Sequence, residues 1–422
     1  MKQRYDSYKP SGIDWIGDIP SHWNIVRLAH IFNAKAGGDA KPELYSDTKD
    51  AQHPFPVYTN SLSEKQVYAY TSSSTFQSGS ITVTGRGEIG HAFLRDTDFD
   101  AIIRLLVLTP RIGLCCKYFT YFIDGVMEFF SDSAAVSQLS AQQINKELVI
   151  LPPLSEQQAI ADYLDAKCAE IDAAIAKVDR EIELIDELKQ SEISRVVTRG
   201  LNPDTPLRPS GIDWIGDIPE HWEICRIKHK ADVVLGKMLL NEPPKEQRNI
   251  YSKEKYLKSR NIGWLNLLLD EVDEMWFNES EKSLYKLNDG DVLVNEGGDI
   301  GKVAIWHNQE DSFYIQNSVH KISPIGVTSG FLVYWIFSLS KRDYFWSIVS
   351  QVSIAHLTKE KLSNTPLIVP PLSEQQAIAD YLDKKCAEID GLKAKLNRKR
   401  ETLTELRQSI ISEVVTGKRK VI

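Results

Sequence analysis

The sequence lacks most of what a membrane protein, a metalloprotein or an enzyme needs. No stretch approaches the roughly 18 to 20 apolar residues that span a bilayer, and residues 1–6, MKQRYD, lack the apolar core of a secretory signal. Cysteine is scarce, five in 422 residues with no CxxC pair, which argues for reduced thiols and against a zinc site or a disulfide frame. The histidines show no metal-ligand spacing, and the repeated His22-Trp23 and His221-Trp222 read as packing or interface residues. A basic excess is missing too: 50 Lys and Arg stand against 58 Asp and Glu, a net charge of -8. Nucleic-acid binders usually carry a basic footprint, but a whole-chain sum leaves room for a local basic face.

Cofactor motifs are broken. Residues 85–90, GRGEIG, fit GxGxxG, yet a dinucleotide fingerprint needs a helix straight after the loop, and HAFL continues as strand-like sequence. Gly301-Lys302 runs into Val303 with no glycine five residues upstream, so there is no P-loop. Glu242 interrupts the N-P-P-aromatic motif of adenine methyltransferases at residues 241–244. No catalytic constellation emerges, and the chain reads as a non-catalyst.

What is present is a duplication. Residues 10–23, PSGIDWIGDIPSHW, return as residues 209–222 with only Ser21 changed, to Glu220. Residues 152–172, PPLSEQQAIADYLDAKCAEID, return as residues 370–390 with only Ala166 changed, to Lys384. The inserts between these frames, about 24–151 and 223–369, are cousins and not copies. Their shared signal is a strand, a glycine loop and a second strand, at residues 78–90 and 289–301. Drift alone would erode frames and inserts alike, so the pattern indicates one fold with two different surfaces.

Each second frame block opens a long helix. Ser155 to Gln158 reads as a capping box, and Leu164, Cys168, Ile171, Ile175, Val178, Ile182 and Ile185 alternate four and three apart as a coiled-coil seam. The second copy uses Ile389, Leu392, Leu396, Leu403, Leu406 and Ile410. Each helix should run about 45 residues, roughly 65 Å. Asp179, Glu181, Glu183, Asp186 and Glu187 oppose Lys393, Lys395, Arg398, Lys399 and Arg400, which suits an antiparallel pair. Either the hairpin only holds the domains together, or flanks such as Leu188 and Val414 receive a partner helix.

Contact chemistry concentrates in the inserts: Lys35, Tyr58, Thr59, Asn60, Arg86 and Arg104 in the first, and Lys237, Lys258, Ser259, Arg260, Asn261, Asn295 and Lys302 in the second. Arg and Lys suit guanine, Asn suits adenine, and all suit phosphates. The loop of residues 85–90 is either a turn that brings backbone amides and Arg86 to a phosphate or base edge, or a structural turn alone.

The arrangement resembles the specificity subunits of type I restriction–modification enzymes. The resemblance rests on the repeated block at residues 152–165 and 370–383, the repeated I-G-x-I-P-x-H-W at residues 16–23 and 215–222, and the glycine loops, and it covers essentially the whole chain. It implies an α+β fold: two mixed α/β target-recognition domains joined by two long helices in an antiparallel coiled coil, with pseudo-two-fold duplication. The expected divisions are 1–152, 153–200, 201–370 and 371–422. It implies a DNA sequence-recognition subunit reading a bipartite site, one half per domain, with the helices as a ruler. Expected partners are double-stranded DNA, two methyltransferase subunits and restriction/translocase subunits, with no membrane and a cytoplasmic location. No cofactor is expected in this chain; S-adenosylmethionine, ATP and magnesium belong to the partners. The alternative is a duplicated coiled-coil scaffold displaying two protein-binding modules.

Overall fold

The computed structural model describes residues 3–63, 66–127, 129, 138–307, 309, 311–349 and 355–421, with Gln247 described in its backbone alone. The chain forms two compact units, residues 1–179 with 397–422, and residues 180–396. Each unit therefore draws on both long helices.

The first insert carries β1 (Phe32–Ala36), β2 (Phe55–Tyr58), β3 (Ala69–Thr71), β4 (Ile81–Val83), β5 (Ala92–Leu94), β6 (Asp100–Ala101) and β7 (Leu106–Pro110), then helix α1 (Cys116–Val126). One sheet has the order β1-β7-β4-β5, antiparallel throughout. The other has β6-β2-β3 with Tyr45–Ser46 at its edge, and β6 runs parallel to β2. All of β4 is buried, as expected of a strand covered on both faces. Tyr118, Phe119, Phe122 and Ile123 form the buried stripe of α1. The first long helix, α2 (Leu154–Arg199), follows.

The second insert repeats the plan with β8 (Ala231–Leu235), β9 (Tyr251–Leu257), β10 (Asp273–Asn278), β11 (Val292–Asn295), β12 (Val303–Ile305), β13 (Phe313–Ile315) and β14 (Val319–Pro324). Its sheets have the orders β8-β14-β11-β12 and β13-β9-β10, again with one parallel pair, β13 on β9. Helix α3 (Ser329–Lys341) is capped by the Thr328 side chain and buried from Phe331 to Ser340. The chain then enters α4 (Leu372–Val415).

Each insert enters and leaves its frame through one two-stranded ladder. Asn24 pairs with Leu151 in the first unit, and Glu223 with Val369 in the second. A tryptophan locks the frame beside each ladder. Trp23 Nε1 donates to Glu156 at 2.9 Å, and Trp222 Nε1 to Glu374 at 3.0 Å. The paired histidines bind the same carboxylates, His22 to Glu156 and His221 to Glu374, each at 2.6 Å. Burial works against the charge on Glu156, but hydrogen bonds from Trp23, His22 and Tyr5 outweigh it and hold its pKa below the ordinary value. A helix end closes each frame: a Cβ at Gly417 would lie 2.4 Å from Pro20, and one at Gly200 3.2 Å from the Trp222 ring. Both glycines adopt the left-handed conformation that ends a helix. Replacing the fully packed Trp222 by alanine is expected to cost the second unit roughly 3–5 kcal/mol. Chemical denaturation would read the loss, and a change below about 1 kcal/mol would remove the indole from its place as the frame's lock.

The helices pair antiparallel in one register. Stepping forward along α2 through Asp172, Asp179, Asp186 and Lys189 meets the same steps backward along α4 at Arg407, Arg400, Lys393 and Asp390, with N–O separations of 2.9, 3.6, 2.7 and 2.7 Å. Such half-exposed pairs contribute little each, and they mark the register more than they hold it. Several details differ from the sequence reading. Pro153 supplies the first helical carbonyl to Gln157 N, so α2 starts at Leu154 and no Ser155 box forms. Gln158 instead donates to Asp162, and Gln157 to the Pro152 carbonyl. Leu392 and Leu406 are exposed, because Lys393 and Arg407 face the partner helix and one residue turns the chain by about 100°. Val414 is fully buried where α4 ends on the first unit's core, so it offers no flank, whereas Leu188 is 55% exposed. Glu183 and Glu187 pair with Arg180 of their own helix.

Candidate nucleic-acid interface

The ends of β1, β2 and β4 and the β6–β7 turn converge in the first unit. Gly37 passes so close to β6 that a Cβ would lie 2.5 Å from the Ala101 carbonyl oxygen. Asn60 ties the cluster together: its Nδ2 donates to the Ile103 carbonyl at 2.8 Å, and its Oδ1 accepts from Gly85 N at 2.7 Å. The turn from Ile102 to Leu105 closes with Leu105 N donating to Ile102 at 3.1 Å, and its two central residues, Ile103 and Arg104, both have left-handed backbones, φ 54° and 58°. That is the I′ geometry that glycine and asparagine favour. Branched isoleucine and long arginine there carry strain of order 1–3 kcal/mol each, which marks the turn as a place to look for function. Arg86, Arg104 and Lys35 are exposed here, and Thr59 and Asn60 are half-buried.

Tyr58 lies inside, under the Arg95 guanidinium at 3.7 Å from its ring centroid. Burial raises its pKa and Arg95 opposes that rise. The GxGxxG segment is a hairpin loop: Thr84 Oγ1 donates to the Glu88 carbonyl, Gly90 N to the Thr84 carbonyl, and β5 follows directly.

The second unit places its equivalents differently. Gly236 makes the same close approach, a Cβ falling 2.3 Å from the Gln316 carbonyl oxygen. Lys237 is 8% exposed and turns inward, donating to the Trp276 carbonyl at 2.8 Å and to Glu281 at 2.5 Å. Asn261 is buried, accepting from Lys258 N and donating to the Leu268 and Glu271 carbonyls. Asn295 is buried and donates to the Ser259 carbonyl at 3.1 Å, while its Oδ1 has no partner among the described residues. Ser259 N donates to Ser318 Oγ. Lys258 ion-pairs with Asp273, whose pKa that contact lowers. Arg260 is exposed and reaches Asp273 at 3.1 Å and Glu271 at 3.6 Å, and Lys302 reaches Asp299 at 2.5 Å. The structure thus gathers half-buried Lys258 and Ser259 and exposed Arg260 on one turn, and sets Lys237, Asn261 and Asn295 behind it. Sequence reading missed the Tyr58–Arg95 stack, since no local pattern marks an arginine 37 residues away in the chain.

A family model, the type I restriction modification DNA specificity domain, matches residues 20–184 and again residues 219–399. The chain belongs to this family. It is 25% identical over 283 residues to the MjaVIII specificity subunit of Methanocaldococcus jannaschii, a match that spans 64% of this chain and 62% of that protein. It is 19% identical over 425 residues to the EcoDI specificity subunit of Escherichia coli, covering 95% and 89%. A solved chain described with the complex assembly and conformational transition of the type I R-M system is similar with a TM-score of 0.70, at 16% identity over 94% of this chain and 98% of that one. The HsdS subunit of Thermoanaerobacter tengcongensis gives a TM-score of 0.50 at the same identity and coverage. These likenesses carry the fold of the specificity subunit, with its repeated domain and long helices. Among the described residues, no helix is long and apolar enough to cross a membrane.

In this specificity subunit the second unit holds a fully buried histidine beside the candidate loops. His320 Nε2 donates to the Leu357 carbonyl at 2.5 Å, and its Nδ1 has no partner among the described residues. Burial pushes its pKa down from 6.5 to about 4. A depressed histidine favours folding above its unfolded pKa and withdraws that support as pH falls toward the folded value. The second unit should therefore lose up to roughly 3 kcal/mol between pH 6.5 and 4. His320→Leu, which matches Leu106 at the equivalent strand position, should flatten that part of a stability-against-pH curve. An unchanged curve would assign the acid sensitivity elsewhere.

Proposed function

We propose that the chain is the DNA sequence-recognition subunit of a type I restriction–modification complex. Each insert reads one half of a bipartite site, and the duplicated frame docks two methyltransferase subunits, with restriction/translocase subunits joining the assembly. The observation that carries this reading is the contrast between frame and insert. Two inserts share the order of one four-stranded sheet and of three strands of the other, enter the frame through equivalent ladders, and differ at their loop ends. A nearly identical frame suits two copies of one partner, while unlike loop ends suit two unlike half-sites. The chain is then non-catalytic, and S-adenosylmethionine, ATP and magnesium act on the partner subunits, in the cytoplasm.

In this reading Arg86 and Arg104 with Lys35, Thr59 and Asn60 face the first half-site, and Lys258, Ser259, Arg260 and Lys302 the second. Tyr58, Lys237, Asn261 and Asn295 act from behind by setting loop shape. The full chain, assembled with its host's methyltransferase subunit, should form a complex of two to one and select one bipartite sequence from a random duplex library. Arg86→Ala and Arg260→Ala should each weaken binding by about 1–3 kcal/mol and relax selection only in their own half. A uniform loss across all sequences would make them phosphate contacts, and no selection by the wild-type assembly would leave the protein-binding scaffold as the better account.

A further inference from the structure

The second unit carries a basic and aromatic surface that the loop-end residues do not include. Lys253 of β9 lies directly across from Trp276 of β10, and its ammonium is 5.8 Å from the indole centroid. Arg248, in the turn before β9, puts its guanidinium 5.9 Å from the same ring. The ring is half-buried and both cations are exposed. Trp276 N donates to the Leu240 carbonyl at 3.4 Å, which brings the turn holding Met238 and Leu239, 74% and 50% exposed, alongside.

What separates these two cations from their neighbours is their partners. Lys237, Lys255, Lys258, Arg260, Lys282 and Lys302 each have a carboxylate within 4.0 Å. Among the described residues, Arg248 and Lys253 face only the Trp276 ring. Their charge is left for an external anion, and both cations lie within 6 Å of one indole centroid, which keeps them close together. Among the described residues the first unit has no such feature, because β3 ends at Thr71 and three serines follow at residues 72–74.

Duplex DNA is the anion that the position favours. β9 runs from Lys253 straight to the loop of Lys258, Ser259 and Arg260, and five residues of strand span roughly 17 Å. At about 3.4 Å per base pair this is the length of about five base pairs. A duplex that lies on the loop ends and runs along β9 brings its backbone within reach of Lys253 and Arg248.

We propose that Arg248 and Lys253, steadied by Trp276, hold two backbone phosphates of the duplex beside the half-site read by the second unit, and take no part in choosing its bases. The inference rests on the function proposed above. The test is a titration of the full chain, assembled with its host's methyltransferase subunit, against a duplex carrying the motif methylated in that host, over a range of salt concentrations. The wild type should prefer that duplex to a scrambled one. The double variant Arg248→Gln, Lys253→Gln should lower the steepness of log affinity against log salt by about 2, one unit per lost phosphate contact, with the methylated motif unchanged. A wild-type slope in the double variant overturns the proposal. A wild-type slope together with fewer methyltransferase subunits per complex overturns it in favour of a protein interface. If the wild type shows no preference for the motif, the proposed function fails, and this inference with it.

Discussion

Four residues inserted into α2 alone, between Ile182 and Leu188, are expected to abolish the helix pairing that four residues inserted into both helices would keep. Helix geometry decides the outcome. Four residues add roughly 6 Å and just over one turn. Inserted in one helix, they leave Asp172–Arg407 and Asp179–Arg400 in place while moving Asp186 and Lys189 off Lys393 and Asp390. The ion pairs are the smaller loss. Ile193, Val196 and Val197 follow on the same helix and are buried in the second unit's core. Withdrawing aliphatic side chains from a core costs about 1.5–3 kcal/mol each, so the single insertion should unfold that helix end or force the added turn out as a bulge.

Matching the insertion with four residues in α4 between Lys393 and Asn397 restores each later partner to its own. In the proposed function, such a matched variant should still direct its methyltransferase subunits to DNA, with both half-sites unchanged and the unread gap between them longer by one or two bases, since duplex DNA rises about 3.4 Å per base pair. Circular dichroism and size measurement separate the two variants, and the methylated motif of a host carrying the matched one reads the gap. A matched variant that is active with the original gap would make the helices a tether and not a ruler.

The frame was legible in the sequence because its two copies are nearly identical, and because α2 has no glycine or proline between Leu154 and Arg199 to interrupt a four-three pattern. The same pattern misassigned Leu392 and Leu406. Periodicity locates a stripe, but the side chains that face the other helix are fixed by its register, and Lys393 and Arg407 took that line. Val414 was misread for a related reason: the core that buries it is made by residues from the far end of the chain, Trp23 among them.

The loop ends were legible as places and not as orientations. Lys237 and Arg260 both follow strands and glycine- or serine-bearing turns, yet one is buried against Glu281 and the other is exposed. Which way a polar side chain turns at such a position depends on carboxylates and carbonyls supplied by distant strands. The left-handed Ile103-Arg104 turn had no local signal at all, since nothing in those residue types asks for that backbone. It forms because β6 and β7 are fixed by their neighbours and Asn60 clamps the Ile103 carbonyl.

Independent reading of two half-sites by two inserts on one frame is the heart of the proposed function. Its most direct measurement is the methylated motif of a host in which residues 24–151 have been replaced by the corresponding insert of another specificity subunit. The ladder that joins Asn24 to Leu151 makes this exchange feasible, because the insert's ends already meet at one place in the frame. The expected motif has one half changed to that of the donor, while the other half stays as it was. An active complex in which both halves changed, or neither did, would contradict it.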